Sequence, residues 1–376
     1  MVDALALLSG DAHTFVDKVW ATTSHVHRAD PADLQALLGV DDVDHLLTST
    51  ALRTPALRVA HDGQVVPSSR YTRSATVAGV ALTGLVDASK VFDLVDGGAT
   101  VVLQGLHRYW PPLIALVGDL ELALGHPGQA NAYLTPPGSQ GFALHSDTHD
   151  VFVLQTHGRK LWEIHDQDGG HDVLLEPGAC MYLPTGTPHA ARTQETTSLH
   201  VTLGVNQITW RDLVARVTTQ ALAQHSLDEA LPAGYLADPD TLAAGLARRL
   251  ASVAATVGTV DPAVVARDQV RAFLTTRRPV QRGGLRDRLV LADIDDHTAL
   301  MRRPGSFCVL EPDGTRLRLL LGDRVLDVPA TLGPVLGHVL EQDRFIAADL
   351  AGWLDPQSRL VLVRRLVREG LLQVPA

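Results

Sequence analysis

His145, Ser146 and Asp147 place an imidazole and a carboxylate two residues apart. On a strand, residues i and i+2 point to the same face, so we expect the two side chains to enter the same space. One imidazole and one carboxylate are two thirds of the facial triad that holds Fe(II) and leaves three coordination positions open. His189 follows the turn at residues 184–188, where a new strand would begin, and is the candidate for the third ligand. The alternative is a surface histidine, because a chain with 17 histidines contains about one His-x-Asp by chance.

Lys160 begins a strand-like run at residues 160–165. Alternation places Lys160, Trp162 and Ile164 on one face, and we expect this apolar face to be the inner one. A buried ammonium needs an anionic partner, and no acidic residue of this strand shares its face. The pattern therefore predicts that Lys160 binds the carboxylate of a ligand. The alternative is a lysine at the mouth of a barrel, reaching water with its amine.

Tyr133 and Asn131 lie on the predicted strand at residues 131–135 and have the same parity. They would therefore line the same wall. Together with Lys160 they predict a pocket with one cation and two hydrogen-bonding groups, which suits a dicarboxylic acid whose other end chelates the metal. The alternative for both residues is ordinary packing.

The elements that must position these residues lie between residues 129 and 205, where short β-branched runs alternate with glycine and proline. This texture predicts a small barrel or sandwich. The predicted strands are residues 131–135, 142–145, 151–155, 161–165, 173–175, 180–183 and 198–203. A small hairpin at residues 57–67 precedes them, as does a helix at residues 113–124 that ends at Gly125.

The remainder of the chain is mostly helical. Residues 210–224, 239–257 and 262–276 are amphipathic and predict a helical bundle or a dimer interface. The tail predicts a winged helix: a hairpin at residues 316–328, helices at residues 332–340, 347–354 and 357–369, and a strand at residues 371–374. Its last helix carries four arginines, which would suit contact with DNA. Residues 281–376 hold 13 arginines and 13 acidic residues, and this neutral balance favours a packing or protein-binding module.

The charge, the cysteine count and the hydropathy of the chain disfavour several classes of protein. The formal net charge of −10 disfavours a protein that coats nucleic acid by bulk electrostatics. Two cysteines exclude a disulfide framework and a four-thiolate zinc site. The acidic start of the chain and the lack of a long apolar run lead us to expect a soluble, cytoplasmic protein.

Residues 131–162, with their Asn-x-Tyr, His-x-Asp and Gly-Arg-Lys motifs, resemble the JmjC-type cupin oxygenases that hydroxylate ribosomal proteins, the ribosomal oxygenase family. Tyr-Leu-Pro at residues 182–184, Pro-His at residues 188–189 and Ser-Leu-His-Val-Thr at residues 198–202 continue the resemblance in order, as does Leu-Gln-Gly-Leu-His upstream at residues 103–107. The resemblance implies an α+β protein. Its double-stranded β-helix (cupin/JmjC) core would span residues 1–208, a helical dimerisation domain residues 209–280, and a winged-helix domain residues 281–376.

The resemblance also implies roles for single residues. His145, Asp147 and His189 would hold Fe(II), and Lys160 would pair with the distal carboxylate of 2-oxoglutarate. The remaining cosubstrate contacts would be Tyr133, Asn131 and Thr202. Gly204 stands where several relatives have a serine.

The implied activity is 2-oxoglutarate- and Fe(II)-dependent hydroxylation of a histidine or arginine side chain in a ribosomal protein, by a homodimer with a basic protein or peptide as its substrate. Neither a membrane nor a nucleic acid is expected as a partner. One alternative is the same chemistry on a peptide natural product or small metabolite. Another is a non-catalytic regulator that combines a cupin with a winged helix. The pocket type allows lysine demethylation, but none of these residues points to it.

Overall fold

The computed structural model describes residues 3–139, 143–167, 169–192 and 195–375, with only the backbone of residue 192. The chain forms two compact units, Met1–Gln207 and Ile208–Ala376. The first boundary lies one residue from the predicted end of the core domain. A further division near residue 280 remains a prediction.

The first unit is built mainly from strands. These are β1 (His25–Arg28), β2 (Leu57–His61), β3 (Gln64–Val65), β4 (Thr72–Val77), β5 (Val80–Val86), β6 (Thr100–Leu103), β7 (Gly128–Thr135), β8 (Asp150–Gly158), β9 (Lys160–Asp166), β10 (Gly169–Leu175), β11 (Ala179–Leu183), β12 (His189–Arg192) and β13 (Ser198–Val205). Eight of them form an antiparallel sheet in the order β1-β11-β8-β13-β7-β6-β2-β3, and β10-β9-β12 form a second sheet. β4 and β5 pair as a separate hairpin.

Helices surround this core: α1 (Ala4–Ser9), α2 (Ala12–Thr14), α3 (Pro31–Gln35), α4 (Val40–Thr48), α5 (Ala88–Asp96) and α6 (Pro111–Leu124). A π-helical turn (Phe15–Val19) and two 3-10 turns (Ser68–Arg70 and Leu106–Arg108) complete the unit. The predicted end of α6 is found, because Gly125 takes the left-handed conformation, with φ of 72°, that terminates a helix.

The large sheet buries both of its faces. On one face, residues such as Ala132, Leu154 and Val201 pack in the core that includes the helices. On the other face, Val153 and Met181 pack with Trp162 of the small sheet. Alternate residues of each strand therefore enter different cores. The two facing sheets confirm the small barrel or sandwich predicted for this region, and their strands pair antiparallel.

Six of the seven predicted core strands fall on observed strands. The strand predicted at residues 142–145 is wrong in its described part. Residues 143–145 form no strand, and His145 makes only an isolated bridge to His189. Residues 140–142 lie outside the described residues. The side chains of His145 and Asp147 are therefore not presented by a strand, and a loop anchored at one residue positions them.

The second unit contains α7 (Trp210–Leu222), α8 (Pro239–Gly258), α9 (Pro262–Leu274), α10 (Gly284–Leu289), α11 (Gly333–Glu341) and α12 (Pro356–Arg368). Its strands are β14 (Ala299–Arg302), β15 (Val309–Asp313), β16 (Arg316–Leu321), β17 (Arg324–Pro329), β18 (Arg344–Ile346) and β19 (Leu372–Gln373). They form the sheets β18-β14-β19 and β15-β16-β17. The helix predicted at residues 347–354 is instead a 3-10 segment, Ala347–Gly352.

Within the described ranges, no single helix is long and apolar enough to cross a membrane; α8 and α9 meet that test only when taken together, and they are bent by 73°.

Candidate metal centre and its cavity

Three side chains converge at the open end of the first unit's barrel. The candidate ligand atoms of His145, Asp147 and His189 all lie within 4.8 Å of one another. Nε2 of His189 is 3.6 Å from Oδ2 of Asp147, and the rings of the two histidines are 4.5 Å apart at their centroids. Two imidazoles and one carboxylate form the donor set of a facial triad, so the residue types suit Fe(II).

Both histidines are oriented in the same way. Nδ1 of His145 is 2.8 Å from the carbonyl oxygen of Ala143, and Nδ1 of His189 is 2.9 Å from that of Thr187. A carbonyl oxygen only accepts, so in each ring Nδ1 donates and Nε2 is the nitrogen that can offer a lone pair to a metal. Burial lowers the pKa of His189, which favours the neutral form that a metal requires.

The main chain also links the ligands. The backbone N–H of His189 donates to the carbonyl of His145 at 2.8 Å, and the N–H of His145 donates back at 3.1 Å. The N–H of Gly186 donates to the carbonyl of Asp147 at 3.0 Å. The turn that precedes His189 is thus bonded to the loop that carries the other two ligands.

Asp150, which is fully buried at the start of β8, holds this turn in place. Its carboxylate accepts from the backbone N–H and the hydroxyl of Thr185 at 2.7 and 2.6 Å. It also accepts from the hydroxyl of Tyr182 at 2.5 Å and from the amide of Gln207 at 3.0 Å. Four donors on one buried carboxylate fix the backbone around residue 185, on which Gly186 and Thr187 depend.

A cavity of about 280 Å³ opens beside the triad. Besides His145, Asp147 and His189, its walls include Arg58, Thr100, Tyr133, Thr135, Val151, Val153, Lys160, Trp162, His200 and Thr202. A mostly apolar wall with a few converging polar groups is typical of small-molecule sites.

Lys160 is where the sequence predicts it, inside the barrel. It is 5% exposed, and its Nζ donates to Oγ1 of Thr135 at 3.1 Å. No carboxylate within the described residues lies within ion-pairing distance of this amine. Burial therefore lowers the pKa of Lys160 to about 8. The same hydroxyl of Thr135 also accepts from Thr100 at 3.2 Å.

Tyr133 and Thr202 line the cavity as predicted. The phenol of Tyr133 hydrogen-bonds Thr202, while burial raises its pKa. Its ring stacks on His200 at 5.0 Å and 6° between planes. His200 is 3% exposed, its Nδ1 has no partner, and burial lowers its pKa well below the usual value. A neutral His200 thus forms part of the wall.

Asn131 does not line the cavity. Its amide oxygen accepts from the backbone N–H of Gly105 at 2.9 Å, so it fastens the loop after β6. The shared parity with Tyr133 is correct, and Asn131 pairs with the cavity residue Thr202 on β13, but its amide oxygen is engaged by the loop at Gly105. The predicted contact between Asn131 and a ligand is therefore not supported by the geometry.

Gly204 has a local explanation. A Cβ placed at this position would lie 2.6 Å from the ring of His149. The imidazole of His149 occupies the space that a serine would need.

Sequence reasoning missed Arg58, Thr100, Thr135 and Asp150. Arg58 carried a usable signal, because it stands between the core residues Leu57 and Val59 on a short strand. Alternation places such an arginine on the opposite face of the sheet. Which face that is depends on strand order, and neighbouring residues do not encode it.

The JmjC domain family matches residues 120–169 and 164–213 of the chain. This range contains the triad, Lys160, Tyr133 and Thr202. The candidate site therefore lies within the stretch of the chain that matches the JmjC domain family. The resemblance stated from the sequence is thereby confirmed.

Curated relatives match part of the chain. Ribosomal oxygenase 1 of Rattus norvegicus is 31% identical over 227 residues, which cover 54% of this chain and 36% of that protein. A protein of Branchiostoma floridae named bifunctional lysine-specific demethylase and histidyl-hydroxylase NO66 is 36% identical over 163 residues, covering 41% and 26%. The chain thus spans about a third or less of the length of these relatives.

Solved structures extend the similarity of fold beyond the JmjC domain. The ribosomal oxygenase YcfD from Escherichia coli matches with a TM-score of 0.54 and 16% identity, over 97% of this chain and 98% of that one. A second structure of YcfD, described as a complex with cobalt and 2-oxoglutarate, matches equally well. At this identity the likeness shows a shared fold.

Proposed function

We propose that this protein is a 2-oxoglutarate- and Fe(II)-dependent oxygenase that hydroxylates a histidine or arginine side chain of a ribosomal protein. One observation carries the proposal: His145, Asp147 and His189 converge in the same cavity as Lys160, a buried cation with no carboxylate partner among the described residues. A metal triad beside an unpaired ammonium suits a cosubstrate that chelates with one end and carries a carboxylate at the other.

The triad fits the metal by the chemistry of its donors. Nε2 of each histidine and a carboxylate oxygen of Asp147 would hold Fe(II) and leave three positions for cosubstrate and O₂. The bound metal, with 2-oxoglutarate and O₂, supplies the oxidising power to hydroxylate an unactivated C–H bond. The carbonyls of Ala143 and Thr187 keep each imidazole in the tautomer that can ligate.

The other wall residues orient the cosubstrate. Lys160 would pair with its distal carboxylate, and the hydroxyl of Thr135 holds the amine in place. Tyr133 and Thr202 present hydroxyls on the same wall. Trp162 and Val153 cover the cavity with apolar surface, which limits the access of water.

The relatives support the choice of substrate. Their names describe ribosomal oxygenases and a histidyl-hydroxylase. Ribosomal proteins are basic, and the net charge of −10 favours encounter with a basic partner. This substrate places the enzyme in the cytoplasm, with the ribosomes.

The second unit would serve assembly. Leu246 and Leu250 of α8 and Val270 of α9 are each more than half exposed, as expected of helices that pack against a second copy. We assign residues 209–280 to dimerisation and residues 281–376 to a winged helix used for packing. Contact with DNA is disfavoured, because three of the four arginines of α12 are engaged within the protein: Arg359 with Asp296, Arg365 with Glu369, and Arg364 with backbone carbonyls.

The metal and cosubstrate can be tested together. Anaerobic addition of Fe(II) and 2-oxoglutarate to the wild type should produce a metal-to-ligand charge-transfer band, and His189→Ala should not produce it. His157→Ala, which removes an exposed histidine of β8, is the matched control and should keep the band. A wild type without the band, or a His189→Ala protein that retains it, would contradict the proposal.

The substrate needs a separate test. Intact ribosomes incubated with the enzyme should yield one ribosomal protein heavier by one oxygen atom, as measured by mass spectrometry. If the charge-transfer band forms but no ribosomal protein gains mass, the substrate is a peptide natural product or a small metabolite. Specific DNA retention without succinate formation would favour a regulator.

A further inference from the structure

Arg58 lies on the wall of the cavity, on the face of β2 opposite to that of its two neighbours in the chain. Its neighbours Leu57 and Val59 are buried in the core beneath the helices, whereas Arg58 lines the cavity. The strand register explains why. Arg58 pairs with Val102 on β6, and Val102 pairs with Tyr133 on β7, so Arg58 lies in the same cross-strand row as Tyr133. Residues in one such row share a face of the sheet.

The guanidinium of Arg58 lacks a partner. Its Nε is buried and makes no hydrogen bond, and no carboxylate of the described residues forms an ion pair with it. Three other arginines have one buried nitrogen without a partner, but each donates elsewhere: Arg216 to Gln269, Arg302 to the carbonyl of Leu340, and Arg364 to that of Ile294. Among these four, Arg58 is the one with no side-chain hydrogen bond to a described residue.

The charges of the cavity are unbalanced. Arg58 and Lys160 are both cationic, and Asp147 is the single carboxylate among the described wall residues. Asp147 lies beside His189 in the triad and is committed there. Arg58 is also close enough to Tyr133 for its charge to act on the phenol. A buried guanidinium nitrogen left without a partner is unfavourable unless a bound anion completes it.

We propose that Arg58 is a second carboxylate-binding residue of this cavity, beside Lys160. The inference rests on the proposed function for the identity of the cosubstrate. The planar guanidinium can hold both oxygens of a carboxylate, which an ammonium cannot do. The carboxylate has two sources: the distal end of 2-oxoglutarate, shared with Lys160, or an acidic group of the substrate bound next to it.

The experiment compares Arg58→Ala and Arg58→Lys with the wild type. Arg73→Ala is the matched control, since Arg73 is an exposed arginine of β4 that does not line the cavity. Thermal unfolding of each variant first establishes that it is folded. Calorimetry on Fe(II)-loaded protein without oxygen then measures the affinity for 2-oxoglutarate and for 2-oxovalerate, which has the same keto-acid head but no distal carboxylate. N-acetylaspartate is titrated into protein saturated with 2-oxoglutarate, and separately into metal-free protein.

If Arg58 binds the distal carboxylate, Arg58→Ala weakens 2-oxoglutarate about 10- to 100-fold and leaves 2-oxovalerate unchanged. If it binds a substrate carboxylate, Arg58→Ala keeps 2-oxoglutarate and loses N-acetylaspartate by a similar factor. Arg58→Lys should fall between, because it keeps the charge and loses the two-pronged geometry.

Equal affinities for all three probes in wild type and Arg58→Ala would overturn the inference, as would an equal loss in Arg73→Ala. Failure of the wild type to bind 2-oxoglutarate would contradict the proposed function instead. The metal-free titration with N-acetylaspartate would still decide the role of Arg58.

Discussion

Lys160 in the first unit and Arg303 in the second are both almost completely buried, at 5% and 2% exposure. Lys160 donates to a single neutral hydroxyl. Arg303 forms an ion pair with the equally buried Asp287 at 2.5 Å and donates to the carbonyls of Arg282, Gly370 and Leu372. Three arginines of α12, Arg359, Arg364 and Arg365, also have partners within the protein. Arg303 is thus satisfied by groups of the protein itself, whereas Lys160 has no anionic partner among the described residues and, under the proposed function, would receive one from a ligand.

The largest effect on stability should come from replacing Arg303, the cation that has partners within the protein. Arg303→Met leaves Asp287 buried without its partner, so the free energy of unfolding should fall by about 3–5 kcal/mol. Urea unfolding followed by circular dichroism measures it. Arg344→Met, at an exposed arginine of β18, should change the free energy by less than about 0.5 kcal/mol. If Arg303→Met lowered the free energy of unfolding no more than Arg344→Met does, the buried ion pair of the second unit would not be stabilising.

Lys160→Met should act in the opposite way. It removes a buried charge that has no anionic partner within the described residues, so stability should stay the same or rise. The affinity for 2-oxoglutarate should fall about 100-fold, because the distal carboxylate loses its cation. Titration of the charge-transfer band measures this, with Lys90→Met at an exposed lysine as the control. Retained affinity combined with lost stability would show that Lys160 is structural.

The protonation of Lys160 predicts how the affinity for 2-oxoglutarate depends on pH. Burial lowers its pKa to about 8, from an ordinary value of 10.5. The cosubstrate-free protein therefore loses this charge as the pH rises through about 8, and the affinity for 2-oxoglutarate should fall by up to about tenfold per pH unit. Between the two pKa values the unfolded chain holds the extra proton, so this group makes stability rise with pH in that window.

The same titrations on Lys160→Arg provide the check, because an arginine stays protonated throughout. The groups near Lys160 are the neutral His200 and the hydroxyl of Thr135. An identical decline in wild type and Lys160→Arg would assign the pH effect to another group.

Asp150→Asn tests the turn that holds the ligands. The substitution keeps the shape but replaces one acceptor oxygen with a donor, in a position that faces four donors. We expect Fe(II) to bind about tenfold more weakly, the usual cost of disturbing groups behind metal ligands. Metal titration measures it, with Asp172→Asn on the exposed strand β10 as the control.

The smallest effect concerns α12. Arg359→Ala breaks the pair with Asp296, and the midpoint of urea unfolding should fall only slightly. Retention on a DNA column should not change. A clear loss of DNA retention would show that this helix reads nucleic acid and would remove the contrast between the two units.

The sequence predicts the ingredients of the site better than its architecture. His145, Asp147, His189 and Lys160 were identifiable because their types are rare in apolar strands and their spacing suggests a single chemistry. Their assigned roles remain predictions. The loop that carries His145 was mistaken for a strand, because a short alternating run looks the same whether or not a partner strand lies beside it.

The places of Arg58 and Asp150 in the site depend on strand order and on contacts between distant segments, which neighbouring residues do not encode. Arg58 faces the cavity through the order β2-β6-β7, whose strands are far apart in the chain. Asp150 matters through hydrogen bonds with Thr185 and Gln207, which also lie in distant parts of the chain. The contact of Asn131 with a ligand remains a prediction. Asn131 shares a face of β7 with Tyr133, as the alternation predicts, but its amide oxygen accepts a hydrogen bond from the backbone N–H of Gly105.

The reciprocal backbone hydrogen bonds between His145 and His189 make the separation of these two residues a property of the main chain. Replacing either imidazole would leave the scaffold intact around a vacant position. The barrel could therefore exchange one ligand type for another during evolution, and with it the preferred metal, without having to rebuild the strands that hold them.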